Sequence, residues 1–309
     1  MSHPDQSLST TSDITELDAV SLSKAIKSRK LSCVETMDAF LSQVERLNPR
    51  VNALVAMRPT DEIRQQARAL DDDLARGAWR GPLHGFPQAP KDIMPAKGMV
   101  TTKGSPIFEG QVSTTDAVVF ERMRSSGAVF IGRSNSPDFG LGGHTFNSVY
   151  GTTGNAFDPT KTAGGSSGGA AVAVALNMLP VADGSDMMGS LRTPAAFNNV
   201  FGMRTTPGCI AHGPTDEVFF QQFSVTGPIA RNIPDLAMLL SVQAGFDARL
   251  PLTHRHGNID FTAPLQRNFK GTRIGWLGDL GGHLAMAPEL LSLCAQTCKT
   301  FESIGCQVD

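Results

Sequence analysis

Apolar positions in the first quarter of the chain recur at the three-to-four-residue spacing of amphipathic helices. Leu17 to Lys27 reads as one short helix. A second opens at Ser32-Cys33-Val34-Glu35, where serine and glutamate can each satisfy the other's backbone N–H. Val34, Met37, Phe40, Leu41, Val44 and Leu47 then share one face. Asn48-Pro49 is expected to end this helix, because a residue before proline is biased away from helical dihedrals. A third helix is predicted from about Asp61 to Arg76, with Ile63, Ala67, Leu70 and Leu74 inward and Gly77 as its stop. Residues 1–14 carry no such pattern and read as a loose tail.

From Gly81 the pattern changes, and proline and glycine divide the chain into short apolar segments. A helix is predicted from Thr115 to Ser125. Ala128-Val129-Phe130-Ile131-Gly132 then has the length and composition of a buried strand. A helix-like run of small residues spans Ala170 to Ala175, and an apolar run follows from Leu179 to Ala182. Val200 to Arg204 reads as a strand, Pro234 to Val242 as a helix, Arg273 to Leu277 as a strand and Pro288 to Ser303 as a helix. Helices alternating with short buried strands imply an α/β fold whose sheet is covered on both faces. The expected organisation is one domain over 1–309: the tail, N-terminal helices over 15–77 and an α/β core over 81–309.

Composition narrows the classes. The 309 residues are 40% hydrophobic and 18% charged, as in folded globular proteins. A formal charge of −2 gives no electrostatic case for nucleic acid. No apolar stretch approaches the roughly 18 residues of a membrane span, and the N-terminus MSHPDQSLSTTSD has no apolar signal region. Five cysteines, an odd number, favour reduced thiols. A cytoplasmic protein is therefore expected. Cys294 and Cys298 share a helical face with Leu290, Leu291 and Phe301 and are expected to face a core. The seven histidines show no metal-binding spacing.

Candidate chemistry concentrates in residues 161–207. Ser166 and Ser167 sit between glycine pairs, and Ser190 follows Gly189. Glycine lets a ligand or another chain segment approach the backbone. A serine hydroxyl needs a base to act as nucleophile at neutral pH, and a lysine neutralised by burial can serve. Lys91 lies in an apolar, proline-rich segment suited to that role, although pairing with Asp92 or another acid is the plainer use for it. Other readings stand beside this one. Gly165-Ser166-Ser167-Gly168-Gly169 matches the nucleophile elbow of an α/β-hydrolase esterase using Ser167, with His212, His254, His256 and His283 downstream; the preceding DPTKTA is loop-like, where an elbow requires a strand. Gly164 to Gly169 also matches a phosphate-binding nest at a helix start, without the Gly-Lys-Ser/Thr ending of a P-loop. Asp186 and Arg192 are read as an ion pair shaping the Ser190 turn, and Asn135 as scaffold behind a strand. His144 and Tyr150 lie in a glycine-rich loop able to line a pocket. Phe219, Phe220 and Phe223 could form an apolar wall.

Three of these pieces together resemble the amidase signature family. Gly164-Gly165-Ser166-Ser167-Gly168-Gly169 resembles its serine turn. Gly189-Ser190-Leu191-Arg192-Thr193-Pro194 is similar to its nucleophile turn, at the family's spacing from Ser166. Gly85-Phe86-Pro87-Gln88-Ala89-Pro90-Lys91-Asp92 resembles its lysine segment, in the family's order. The resemblance implies an α/β/α domain with a central mixed sheet and an amidase that cleaves a C–N bond of an amide or carbamate. In it Ser190 is the nucleophile, Ser166, preceded by a cis peptide, is the relay, and Lys91 is the base. Backbone N–H groups of Met187, Met188, Gly189 and Ser190 would form the oxyanion hole. Ser167, Asp186, Arg192, Asn135, Tyr150 and Phe223 would support the site or the substrate. No cofactor or metal is implied. A small-molecule amide is the expected partner, with a homodimer or a glutaminase role in an amidotransferase as further expectations. Two departures stand out. Met188 occupies a position where the family often has glycine, which is expected to alter specificity. The family's members are also longer, so its C-terminal part is expected to be lacking.

Overall fold

The structure is a computed structural model that describes residues 11–213, 219, 223–253, 260–264 and 266–309. Phe220, His254 and His256 lie outside the described residues. The chain divides into two compact units, Met1–Thr262 and Ala263–Asp309.

The first unit opens with α1 (Thr11–Glu16), α2 (Ala19–Lys27), α3 (Cys33–Val51), β1 (Leu54–Val55) and α4 (Thr60–Ala75). Residues 11–14 are thus the start of a helix rather than part of a tail, and Ile14 is anchored in the core. The capping box of α3 is formed, with Ser32 Oγ accepting the Glu35 N–H and the Glu35 carboxylate accepting that of Ser32. This helix does not stop at Asn48-Pro49. It runs through Pro49 to Val51 and closes on left-handed Asn52. The Asn48 side chain accepts the amides of Ala53 and Leu54, which secures the exit of a helix weakened by its proline.

The middle of the unit contains β2 (Pro87–Gln88), α5 (Val118–Ser125), β3 (Val129–Phe130), β4 (Arg133–Ser134), β5 (Phe146–Asn147) and β6 (Gly151–Thr152). It continues with α6 (Gly168–Ala175), β7 (Val181–Asp186), α7 (Arg192–Phe197), β8 (Phe201–Gly202), β9 (Val225–Ala230) and α8 (Ile233–Gln243). The strands form small mixed sheets. β2 and β3 pair in parallel, β1 and β4 antiparallel, and β7-β9-β8 form an antiparallel three-stranded sheet. The Gln88 side chain donates to Val181 O at 2.8 Å and ties β2 to β7.

All the α6 residues from Gly168 to Val174 are buried, and the helix packs on β1, β4, β7 and β9. Its small residues allow that approach. A Cβ added at Gly169 would lie 2.4 Å from both Ala53 O and Asn135 N. The core of this unit also takes in Phe40, Phe86, Phe120, Phe130 and Leu239.

The second unit holds β10 (Arg273–Ile274), α9 (Pro288–Ser303) and β11 (Gln307–Val308), the two strands pairing in parallel. Within this unit the expected core face of α9 is not covered. Leu290 and Phe301 are exposed, and Cys294 and Cys298 are half-buried. Two strands of two residues offer too little apolar surface to bury it. Among the described residues, no helix is long and apolar enough to cross a membrane.

Candidate active site

Lys91 lies just past β2, where its backbone bridges in parallel to Ser134. Arg133 on β4 fixes this segment by donating from Nη2 to the carbonyls of Lys91 (2.9 Å) and Met94 (2.6 Å). Its Nε sits 3.3 Å from Asp92 Oδ1, and both side chains are buried. Asp92 therefore pairs with Arg133, not with Lys91. Burial, only partly opposed by Arg133 and Thr102, raises the Asp92 pKa.

The Lys91 side chain is fully buried, and Nζ meets three hydroxyls: Ser166 at 2.7 Å, Ser167 at 2.9 Å and Ser185 at 3.0 Å. An ammonium has three donors for three such oxygens. Loss of water pushes the Lys91 pKa down to about 7, against the upward pull of the Asp183 and Asp186 carboxylates. A group poised there can exist as the neutral amine near neutral pH.

Ser166 follows a cis Gly165–Ser166 peptide bond. Residue 165 is pressed against the loop at His144, where an added Cβ would lie 2.8 Å from the His144 nitrogen. The N–H of Ser167 donates to Ser190 O at 3.1 Å, which ties the two serine turns together.

Asp186, at the end of β7, organises the Ser190 turn. Its carboxylate accepts from the amides of Gly189 (2.8 Å) and Leu191 (3.2 Å) and from Arg192 Nε (3.0 Å) and Nη2 (3.2 Å). Arg204 adds a further ion pair at 3.1 Å. Burial by itself would raise the Asp186 pKa, but Arg192 and the two amides outweigh it and hold the carboxyl well below the usual range. Of the four amides expected as oxyanion donors, that of Gly189 is engaged by Asp186 in this structure. The Met188 side chain is 90% exposed, so it stands at the surface beside the turn.

The remaining expected residues fall in different places. Asn135 is buried in scaffold contacts, donating to Thr153 Oγ1 and accepting from the Ser136 amide and Asn147 Nδ2. Tyr150 is half-buried, and its hydroxyl side lies at the Thr102–Asp92 cluster. Burial first, and the Asp92 charge second, raise its pKa. Phe223 is 74% exposed, and its carbonyl accepts from Arg204, the residue that also grips Asp186. His144 is exposed and bonds Thr162 through Nδ1.

The elbow reading fails because the Ser167 hydroxyl meets Lys91 and Ser185 and follows no strand. The phosphate nest is disfavoured because the N–H groups at the start of α6 are occupied: Ser167 by Ser190 O, Gly168 by Thr145 Oγ1 and Gly169 by Asn135 O. Sequence reasoning missed Ser185, Asp183 and Arg204. The alternation of β7 carried a signal for the first two, since residues two apart share a face.

Helices over small mixed sheets, with a buried lysine reaching the serine of a cis turn and a second serine turn tied to it, define an amidase signature protein. The chain belongs to the amidase family, whose model matches residues 35–309. It is 34% identical over 293 residues to an acylamidase of Rhodococcus erythropolis, covering 94% of this chain and 61% of that protein. It is 36% identical over 284 residues to a glutamyl-tRNA(Gln) amidotransferase subunit of Methylococcus capsulatus, covering 92% and 58% respectively. Among solved structures, a bacterial aryl acylamidase of the amidase signature family superposes with a TM-score of 0.87 at 30% identity. That match covers 94% of this chain and 60% of the other. The chain thus spans about three-fifths of the length of these relatives.

Proposed function

We propose that the protein is an amidohydrolase that cleaves the C–N bond of a carboxylic amide through an acyl-enzyme on Ser190. The observation that carries this reading is the 2.7 Å contact between the buried Lys91 Nζ and Ser166 Oγ, next to the turn that holds Ser190. Neutral Lys91 accepts the Ser166 proton as Ser166 accepts that of Ser190. The Ser190 Oγ–carbonyl carbon bond forms, and the carbonyl oxygen takes the negative charge. Amides of Met187, Met188 and Ser190 are the candidate donors to it, and one such donor contributes about 3–4 kcal/mol to lowering a barrier. Collapse breaks the C–N bond. Ser166 protonates the leaving nitrogen and is reprotonated by the Lys91 ammonium. Water then attacks the ester through the same relay and releases the acid.

The substrate is an amide with an apolar or aryl group, an anilide or a carbamate. Exposed Met187, Met188 and Phe223 near the turn favour apolar contacts, and similarity to an acylamidase and an aryl acylamidase points the same way. The second reading is the glutaminase component of an amidotransferase, working with partner proteins. It is favoured by similarity to glutamyl-tRNA(Gln) amidotransferase chains. Rates with 4-nitroacetanilide and with glutamine separate the two. Anilide turnover with Ser190 labelled by a fluorophosphonate supports the first. Glutamine hydrolysis alone supports the second, and absence of labelling at Ser190 defeats both.

A further inference from the structure

Asp183 is a fully buried carboxyl on β7, two residues before Ser185 and on the same face of the strand. The two side chains hold opposite ends of one lysine. Asp183 Oδ2 accepts the Lys91 backbone N–H at 3.2 Å, and Ser185 Oγ meets Nζ at 3.0 Å. Asp183 Oδ1 has no hydrogen-bond partner among the described residues. A buried carboxylate with half its acceptors idle is costly unless a charge compensates it.

We propose that Asp183 is a positioning residue that sets the base strength of Lys91 by providing its buried counter-charge. The inference rests on the reading of Lys91 as the base. Arg133 and Asp92 form an ion pair, and Arg133 also acts on Asp183, so Lys91 and Asp183 belong to one buried cluster of four charges. The ionisable groups facing them are few. Asp186 lies further along β7 and Tyr150 near Arg133. α6 and β9 carry no ionisable side chain, and Asp235 of α8 is held by the amides of Ala19 and Val20. When Lys91 gives up its proton, Asp183 loses one of the two positive charges that act on it and keeps Arg133. The carboxylate therefore favours the ammonium and counteracts desolvation of the lysine. A lysine buried without a counter-charge would be neutral at low pH but a weak proton acceptor, whereas general bases work best with a pKa near the working pH. Burial in turn pushes the Asp183 carboxyl up to about 6, opposed by the Lys91 amide, Arg133 and Lys91, so the two groups titrate close together.

The test is the pH dependence of the rate at which a fluorophosphonate labels Ser190, which needs no knowledge of the substrate. Wild type should show a rate that rises with pH. In Asp183→Asn the midpoint of that rise should fall by about 1 pH unit, the lower end of the scale for removing a nearby opposite charge, and the plateau should also drop. Asp183→Leu removes the same charge with an apolar side chain and should give the same shift, so either folded variant suffices. A role confined to packing would lower the plateau and leave the midpoint in place; a wild-type midpoint in a folded variant overturns the proposal. Lys91→Met separates the two levels. Loss of the rise in that variant upholds Lys91 as base whatever the Asp183 variants do. Persistence of the rise, or no labelling of wild type, removes the base assignment and this inference together.

Discussion

Burial is what makes an amine out of the Lys91 ammonium near neutral pH. The side chain is fully buried with its Nζ against three hydroxyls, and its pKa falls to about 7. Below that value the group is charged and has no lone pair for the Ser166 proton; above it the lone pair is present. Hydrolysis should therefore rise with pH through about 7 and level off. Lys91→Ala should lose on the order of 10²–10⁴-fold in kcat/KM, with the rising limb gone. A folded Lys91→Ala protein with the wild-type profile would rule out the relay. Distinctive runs of glycine and proline single out Lys91, Ser166 and Ser190 in the sequence, and the structure brings Lys91 Nζ to 2.7 Å from Ser166 Oγ. Asp183 and Ser185 were not legible there, because their part depends on which face of a strand meets a lysine more than ninety positions earlier. Met188 is a further residue-scale case. It is exposed and makes no core contact, so Met188→Gly should leave folding within about 0.5–1 kcal/mol. Its effect should appear as a lower preference for bulky apolar over small acyl groups, measured as a ratio of kcat/KM values. An unchanged ratio would remove Met188 from the specificity argument.

Elements matter here through their ends. The Ser190 turn is held by one carboxylate at the end of β7, with two amides and two guanidinium groups converging on Asp186. Asp186→Ala would leave the Gly189 and Leu191 amides without their acceptor. A buried donor stripped of its partner costs about 1–3 kcal/mol, so a loss of that order is expected in denaturant unfolding, with activity falling further. Full activity in this variant would mean that the turn keeps its shape without the carboxylate. The start of α6 is the other sensitive end. Gly169→Ala drives a methyl into Ala53 O and Asn135 N and should destabilise the fold by about 1–3 kcal/mol or more. Helix periodicity made α2, α4, α8 and α9 readable almost to the residue, since each carries enough turns for a pattern. The strands were legible only as apolar runs, for most of them span two residues. The passage of α3 through Pro49 was hidden because side-chain bonds from Asn48 to the following chain are a tertiary compensation that local rules do not contain.

At the scale of the molecule, the two units differ in how much they bury. The first holds an extensive core from α1 to α8, while α9 in the second has no buried residue. The apolar stripe of α9 is that of a core helix and so suggested a covered face, because periodicity reports what a helix is ready to bury and not whether anything covers it. A helix of 16 residues without tertiary burial is marginal in water, since most helical stability in proteins comes from packing. Local opening should then cost α9 far less than global unfolding, whereas α6 can open only with the core around it. Amide hydrogen exchange on the 309-residue chain should accordingly show α9 exchanging orders of magnitude faster than α6 and α3. Addition of a mild denaturant should remove α9 protection before that of α6 changes. Equal protection of α9 and α6 would mean that the apolar stripe of α9 is covered in solution, as in an assembly of chains, and a concentration dependence of that protection would identify the assembly as the cause.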